Sequence, residues 1–216
     1  MIILFFFIML WGIDVVKEGY SEGFHNKVVV KSIKIGMILF IVSEILFFFS
    51  FFWAFFHSSL SPSIDINCIW PPKNIITLNM MHHPLINTVF LLFSALTLTI
   101  SHFYLINGKR VLSIETLVST LIFGFWFLYT QYIEYSYSTF TISDSVYGSV
   151  FFILTGFHGL HVIIGVSFLI ISLIRIVENH FSKSHHFFFE ASIWYWHFVD
   201  VVWLFLYISL YWWGSN

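Results

Sequence analysis

The residues in this chain that could do chemistry sit mostly inside long apolar runs. Glu44 is the sharpest case. Its neighbours three and four positions away are Phe40, Ile41, Phe47 and Phe48, so its own helix offers no charge partner. A carboxylate near the centre of a bilayer-spanning helix costs roughly 2.5–3.5 kcal/mol or more. Keeping its proton avoids much of that cost, because burial disfavours the charged form. Two uses fit such an acid: a neutral group hydrogen-bonded to another helix or subunit, or a proton-handling or ligand-binding site. A carbodiimide, which attacks protonated buried carboxyls, is expected to label Glu44 preferentially; indifference at neutral pH would remove that reading.

His158 and His161 stand three apart in His-Gly-Leu-His and share a helical face with Gly165 and Ser172. Two such histidines could ligate a metal. One helix cannot place them on opposite sides of a single haem, however, and no third ligand stands nearby in sequence. Small residues on the same face favour close helix packing, with the histidines bonding across it or meeting a lipid headgroup. His186, Glu190, His197 and Asp200 follow one another at spacings of four, seven and three. They form a polar stripe that can satisfy itself, His197 with Asp200 most directly, and that is expected to face a bundle interior. Asp14, Lys17, Glu18, Glu22, His25, Lys27, Lys31 and Lys34 make the most charged stretch. It is either a solvated connection or an anionic-headgroup site shared with Arg175 and His180.

These groups need elements to hold them, and composition says which. The 216 residues are 59% hydrophobic and 9% charged, with mean hydropathy +0.89. A soluble domain carries about 25% charged residues, so this chain cannot cover a water-facing surface and belongs in a membrane. Five apolar runs, 35–56, 85–106, 112–135, 146–176 and 188–213, are long enough to cross it. A helix rises ~1.5 Å per residue, so ~20 residues span the ~30 Å hydrocarbon core. The opening run, 1–13, reaches only about 18 Å by that arithmetic and reads as the second half of a spanning helix. The expected fold is all-α: a single polytopic transmembrane helix bundle of five complete spans plus a partial amino-terminal helix. All four prolines, Pro62, Pro71, Pro72 and Pro84, fall in or beside one loop, so none breaks a span.

Charge placement orients the threading. If the connections alternate sides, one side receives Lys17, Lys27, Lys31, Lys34, Lys109, Arg110, Arg175 and Lys183, and the other Lys73 alone. That bias puts the basic connections in the matrix or cytoplasm and both ends of this chain on the opposite face. Trp194 and Trp196 are expected near one membrane boundary and Tyr211, Trp212 and Trp213 near the other. Thr141 or Ser143 is expected to cap the helix before Val146, with Asp144 in its first turn. One cysteine, Cys68, excludes an internal disulfide, and no basic stretch looks like a nucleic-acid face. Residues 1–11 carry neither a basic leader nor a small-residue cleavage site. The 29 Phe and scarce Ala suit an organelle-encoded protein.

Several strings resemble subunit III of the haem–copper cytochrome c oxidases, in particular the mitochondrial form. They are Gly36-Met37-Ile38-Leu39-Phe40-Ile41-Val42-Ser43-Glu44 with Phe51-Phe52-Trp53-Ala54-Phe55-Phe56-His57-Ser58-Ser59; Phe140-Thr141-Ile142-Ser143-Asp144 with Tyr147-Gly148-Ser149; Thr155-Gly156-Phe157-His158-Gly159-Leu160-His161; and Trp194-Tyr195-Trp196-His197-Phe198-Val199-Asp200. The resemblance covers the chain from Trp11 onward. It implies a seven-helix subunit packed on subunit I, with two helices set apart from five across a lipid-filled cleft. Glu44 then matches the family's membrane-embedded, carbodiimide-reactive glutamate. Lys17, His25 and Arg175 match positions that hold phospholipid headgroups, such as those of cardiolipin, phosphatidylethanolamine or phosphatidylglycerol, with His161 nearby. Lys17 stands where relatives have arginine, so a bidentate phosphate contact becomes a point charge; Glu178 replaces a commonly basic residue and takes no lipid role.

What the resemblance implies is a non-catalytic core subunit of a terminal oxidase in the mitochondrial inner membrane. It braces subunit I, retains lipid and supports proton uptake and oxygen access. No metal is expected in this chain, haem and copper being held by neighbours, and subunits I and II are the implied partners. Relatives also open with one and a half further helices, which implies another chain supplying them or filling the cleft. A haem-b membrane anchor of a dehydrogenase, using His102, His158 or His197, is the competing reading. A proton-coupled transporter working through Glu44 and Asp200 is a third, and it lacks the repeated, interrupted helices usual for that class.

Overall fold

The computed structural model describes residues 2–20, 22–73 and 75–215, whose regular elements are helices with no strand among them. Met1, where the opening apolar run begins, lies outside the described residues. The chain divides into two compact units, Met1–Phe40 and Ile41–Asn216.

The first unit holds α1 (Ile2–Tyr20) and the start of α2 (Lys27–Leu60). Helix α1 outruns the apolar stretch 1–13 by two turns, because Asp14, Lys17 and Glu18 tolerate helix once outside hydrocarbon. Its end is closed by backbone bonds from Glu22 N–H to the Lys17 carbonyl (3.2 Å) and from Phe24 N–H to that of Glu18 (3.1 Å). Gly23 takes the left-handed φ of 69° that this reversal needs. The Asn26 side chain then accepts from Val28 and Val29 N–H, each at 3.0 Å, which supplies the cap that starts α2. Helix α2 has 34 residues, about 51 Å at the usual rise. It therefore carries Lys27, Lys31 and Lys34 on helical turns beyond the apolar run that begins at 35.

The second unit holds the rest of α2 with α3 (His83–Ile106), α4 (Arg110–Tyr137), α5 (Val146–Val177) and α6 (Phe187–Leu206), which widens into π-helical turns over Tyr207–Trp213. All five helices α2–α6 are long and apolar enough to cross a membrane, α6 together with its π-helical end. Helices α3 to α6 pack in sequence, and α3 meets α6 to close the ring. Serine and threonine let α3 and α4 approach: Thr97 bonds Thr120 at 2.8 Å, and Ser101 donates to the Ser113 carbonyl at 2.8 Å. The part of α2 in this unit touches the bundle through long aromatic side chains: Phe47 on Phe157 (5.0 Å), Phe48 on Phe198 (6.1 Å) and Phe52 on Phe205 (6.3 Å).

Trp196 sits at the centre of the ring. It is fully buried, facing the bundle rather than its outer surface, because glycines on two facing helices make a slot for it. A Cβ at Gly124 of α4 would lie 3.0 Å from the indole, and one at Gly165 of α5 would lie 2.8 Å from it. The indole N–H donates to Ser94 Oγ of α3 at 2.9 Å, so one side chain of α6 joins all four helices. Tyr211, also expected at a boundary, is buried. The α5 cap falls two positions after Ser143, the nearer of the two expected residues: Ser145 accepts from Gly148 N–H at 3.1 Å, while Asp144 turns back to accept from Thr141 N–H at 2.6 Å.

Candidate functional site

The structure supplies the partner that Glu44 lacks on its own helix. Glu44 Oε2 lies 2.8 Å from His161 Nε2 on α5, and the His161 Nδ1–H donates to the Phe157 carbonyl at 2.7 Å. With Nδ1 committed, Nε2 and the carboxyl face one another across a single hydrogen bond, so each ionisable group has a partner in an apolar setting. Phe47 and Phe48 flank the imidazole, with Phe48 4.9 Å from it edge-on. The imidazole is nearly buried and the carboxyl partly open, with side-chain exposures of 8% and 22%, so exchange with the surroundings would occur through Glu44.

His158, one turn away, is buried against Phe127 and Trp203. Its Nε2–H donates to the Val199 carbonyl of α6 at 3.2 Å, and its Nδ1 has no hydrogen-bond partner among the described residues. The histidines of His-Gly-Leu-His thus tie α5 in different directions, His161 to α2 and His158 to α6. The stripe along α6 also divides. His197 and Asp200 approach to 3.7 Å, ion-pair range but beyond a hydrogen bond, and neither oxygen of the buried Asp200 has a hydrogen-bond partner among the described residues. His186 and Glu190 instead join His102 of α3. The His102 and His186 Nε2 atoms are 3.1 Å apart, and Glu190 Oε1 is 3.5 Å from His186 Nε2.

A polar knot at the opposite end of α4 was missed in the sequence. Glu134 is buried, and its Oε1 accepts from Tyr211 O–H at 2.5 Å and from Gln131 Nε2 at 3.3 Å. Its Oε2 has no partner among the described residues, and the group lines a cavity of about 220 Å³ with Leu78, Asn79, His82, His83 and Pro84. Nearby on the same helices, Thr130 donates to Asn87 Oδ1. The available signal was an acid one turn after Gln131 inside an apolar run, which reads equally as a wet helix end.

The basic residues fall in both units. In the first, Lys17 is exposed on α1 and His25 half-buried beyond the turn. The His25 ring lies against Gly19, where a Cβ would come within 2.7 Å of its Nδ1. In the second, the Arg175 guanidinium stacks 4.4 Å over Phe181 and 5.4 Å from the Phe188 centroid. Its Nε has no hydrogen-bond partner among the described residues. His161 and Arg175 are separated by fourteen residues of one helix, about 21 Å along its axis, so one headgroup does not reach both.

A family model described as cytochrome c oxidase subunit III matches residues 1–215. The chain is similar to cytochrome c oxidase subunit 3 of Salmo salar, with 54% identity over 205 residues, 95% of this chain and 78% of that protein. The corresponding protein of Tachyglossus aculeatus aculeatus shares 55% over the same shares of both chains. That of the fungus Allomyces macrogynus shares 54% over 96% of this chain and 76% of its own length.

Proposed function

The chain belongs to the cytochrome c oxidase subunit III family, and from that membership we propose that it acts as a lipid-holding brace beside the subunits that carry electrons. It is a multi-pass inner-membrane component of the mitochondrial respiratory chain and a subunit of the terminal oxidase, with other oxidase subunits as its partners. Those partners are subunits I and II. Subunit I is the one it stabilises, and it assists proton uptake and oxygen access there. The basic connections face the matrix and both ends of this chain the intermembrane space.

The observation that carries the brace reading is the use made of the buried polar groups. Trp196 is tied to Ser94, Trp203 to Thr88 at 3.0 Å, His158 to Val199 and Tyr211 to Glu134. Each bond joins one helix to another. His158 Nε2 and both nitrogens of His161 are engaged, and the 3.1 Å between the His102 and His186 Nε2 atoms leaves no room for a porphyrin between them. Family membership favours the oxidase reading over a dehydrogenase haem anchor. Purifying the oxidase in mild detergent through a tag on this chain tests the reading. Subunits I and II should accompany it with their haem spectrum, and isolation without them would overturn it.

Arg175 is the strongest phospholipid position. Aromatic rings hold its guanidinium in place, leaving donors for a phosphate. Arg175→Ala is expected to lower tightly bound phospholipid by about one molecule per oxidase, counted by lipid mass spectrometry. Arg175→Lys should restore it only in part, since a point charge replaces the planar fork.

A further inference from the structure

We propose that His102, His186 and Glu190 form a binding site for a divalent ion of the zinc class, clamping the end of α3 to the start of α6. Their ligand atoms all lie within 4.8 Å of one another. Tetrahedral zinc holds ligands at about 2.0–2.1 Å, which sets neighbouring ligand atoms about 3.3 Å apart. The His102–His186 edge of 3.1 Å and the His186–Glu190 edge of 3.5 Å bracket that value.

The second layer is already built. His186 Nδ1–H donates to the Ser182 carbonyl at 3.0 Å, which fixes the tautomer and turns the Nε2 lone pair toward His102 and Glu190. A backbone carbonyl behind a ligating imidazole is the usual arrangement at zinc sites. In the ion-free chain, His102 Nε2–H must then be the donor to His186 Nε2. An incoming ion takes the place of that hydrogen, and His102 carries its proton on Nδ1 instead. The scaffold is held from two sides. Phe189, fully buried, packs edge-on against His102 at 5.9 Å. Arg110 of α4 donates to the Phe181 carbonyl at 2.9 Å, securing the loop that leads to His186. His186 is buried and Glu190 is one-quarter exposed, with side-chain exposures of 5% and 24%; the ion therefore enters past the carboxylate, leaving its fourth position for water or the second carboxylate oxygen. Two imidazoles and one carboxylate select zinc-like ions over magnesium or calcium, which take oxygen ligands. The site rests on this chain's geometry and on no electron-transfer role.

The test uses the intact oxidase, stripped with a chelator and titrated with zinc chloride, with bound zinc counted per haem by plasma mass spectrometry. Wild type and His185→Gln, a neighbouring histidine outside the cluster, should each take up one equivalent that Glu190→Gln and His102→Gln bind at least about tenfold more weakly, since loss of even an outer-shell partner costs that much. Zinc X-ray absorption of the wild-type minus Glu190→Gln difference should show two histidine nitrogens at about 2.0–2.1 Å. Unchanged zinc content and affinity in Glu190→Gln, an isosteric change assembled with normal haem, would overturn the proposal. So would a loss of equal size in His185→Gln. Haem content, read in the same samples, reports separately whether the chain sits in an oxidase at all.

Discussion

Trp196→Ala is expected to destabilise the α3–α6 ring by about 3–5 kcal/mol, the range for emptying a buried tryptophan site. The side chain is fully buried and fills a slot whose walls are Gly124 and Gly165, so alanine leaves a cavity that neither backbone can collapse to fill. The change also strands the Ser94 hydroxyl that receives the indole N–H. The complementary change closes the slot from the other side. Gly165→Leu places atoms where the indole ring already is, at an overpacking cost of about 1–3 kcal/mol. Both should appear as release of this chain from the oxidase at lower temperature or lower detergent concentration. Trp194→Ala, two residues away at a half-buried position, should change little. Equal losses for Trp194 and Trp196 would mean that the ring is not organised around the slot.

Breaking the Glu44–His161 pair should cost less in stability and more in function. The two groups are joined at 2.8 Å, so removing either leaves the other without that partner. Glu44→Gln with His161→Ala forms a double-mutant cycle, and groups in direct contact couple by about 0.5–3 kcal/mol. The expected result is that each single change lowers retention of the chain, while the double change costs less than the two added together. Carbodiimide labelling should vanish in Glu44→Gln and persist in His161→Ala. Strict additivity of the two substitutions would mean that the contact contributes nothing.

Both predictions turn on contacts that the sequence shows poorly. The spans were legible because apolar runs of twenty or more residues have one stable form in lipid, a helix. Helix ends were less so: α1 continues to Tyr20 and α2 begins at Lys27 because charged residues remain helical once outside hydrocarbon. Helical spacing shows which residues share a face, and it correctly placed Glu44 among apolar neighbours. It cannot show what faces them from another helix. His161 is 117 residues from Glu44, and His186 is 84 from His102. Read along one helix, His186, Glu190, His197 and Asp200 made a single stripe. In three dimensions its first half turns to α3, and Asp200 is left with a more distant His197. Trp196 turns inward to the ring; the signal for that is the pair of glycines, Gly124 and Gly165, and their pairing exists only in the folded chain. Glu134 was passed over for the same reason, its partner Tyr211 being 77 residues away.

The division of labour between this chain and its neighbours can be measured most directly by counting what leaves with it. Oxidase stripped of this subunit by detergent, then assayed for haem and copper per subunit I, should retain its full complement of both and still transfer electrons to oxygen, while losing lipid. Loss of a stoichiometric haem or copper together with the chain would contradict the account.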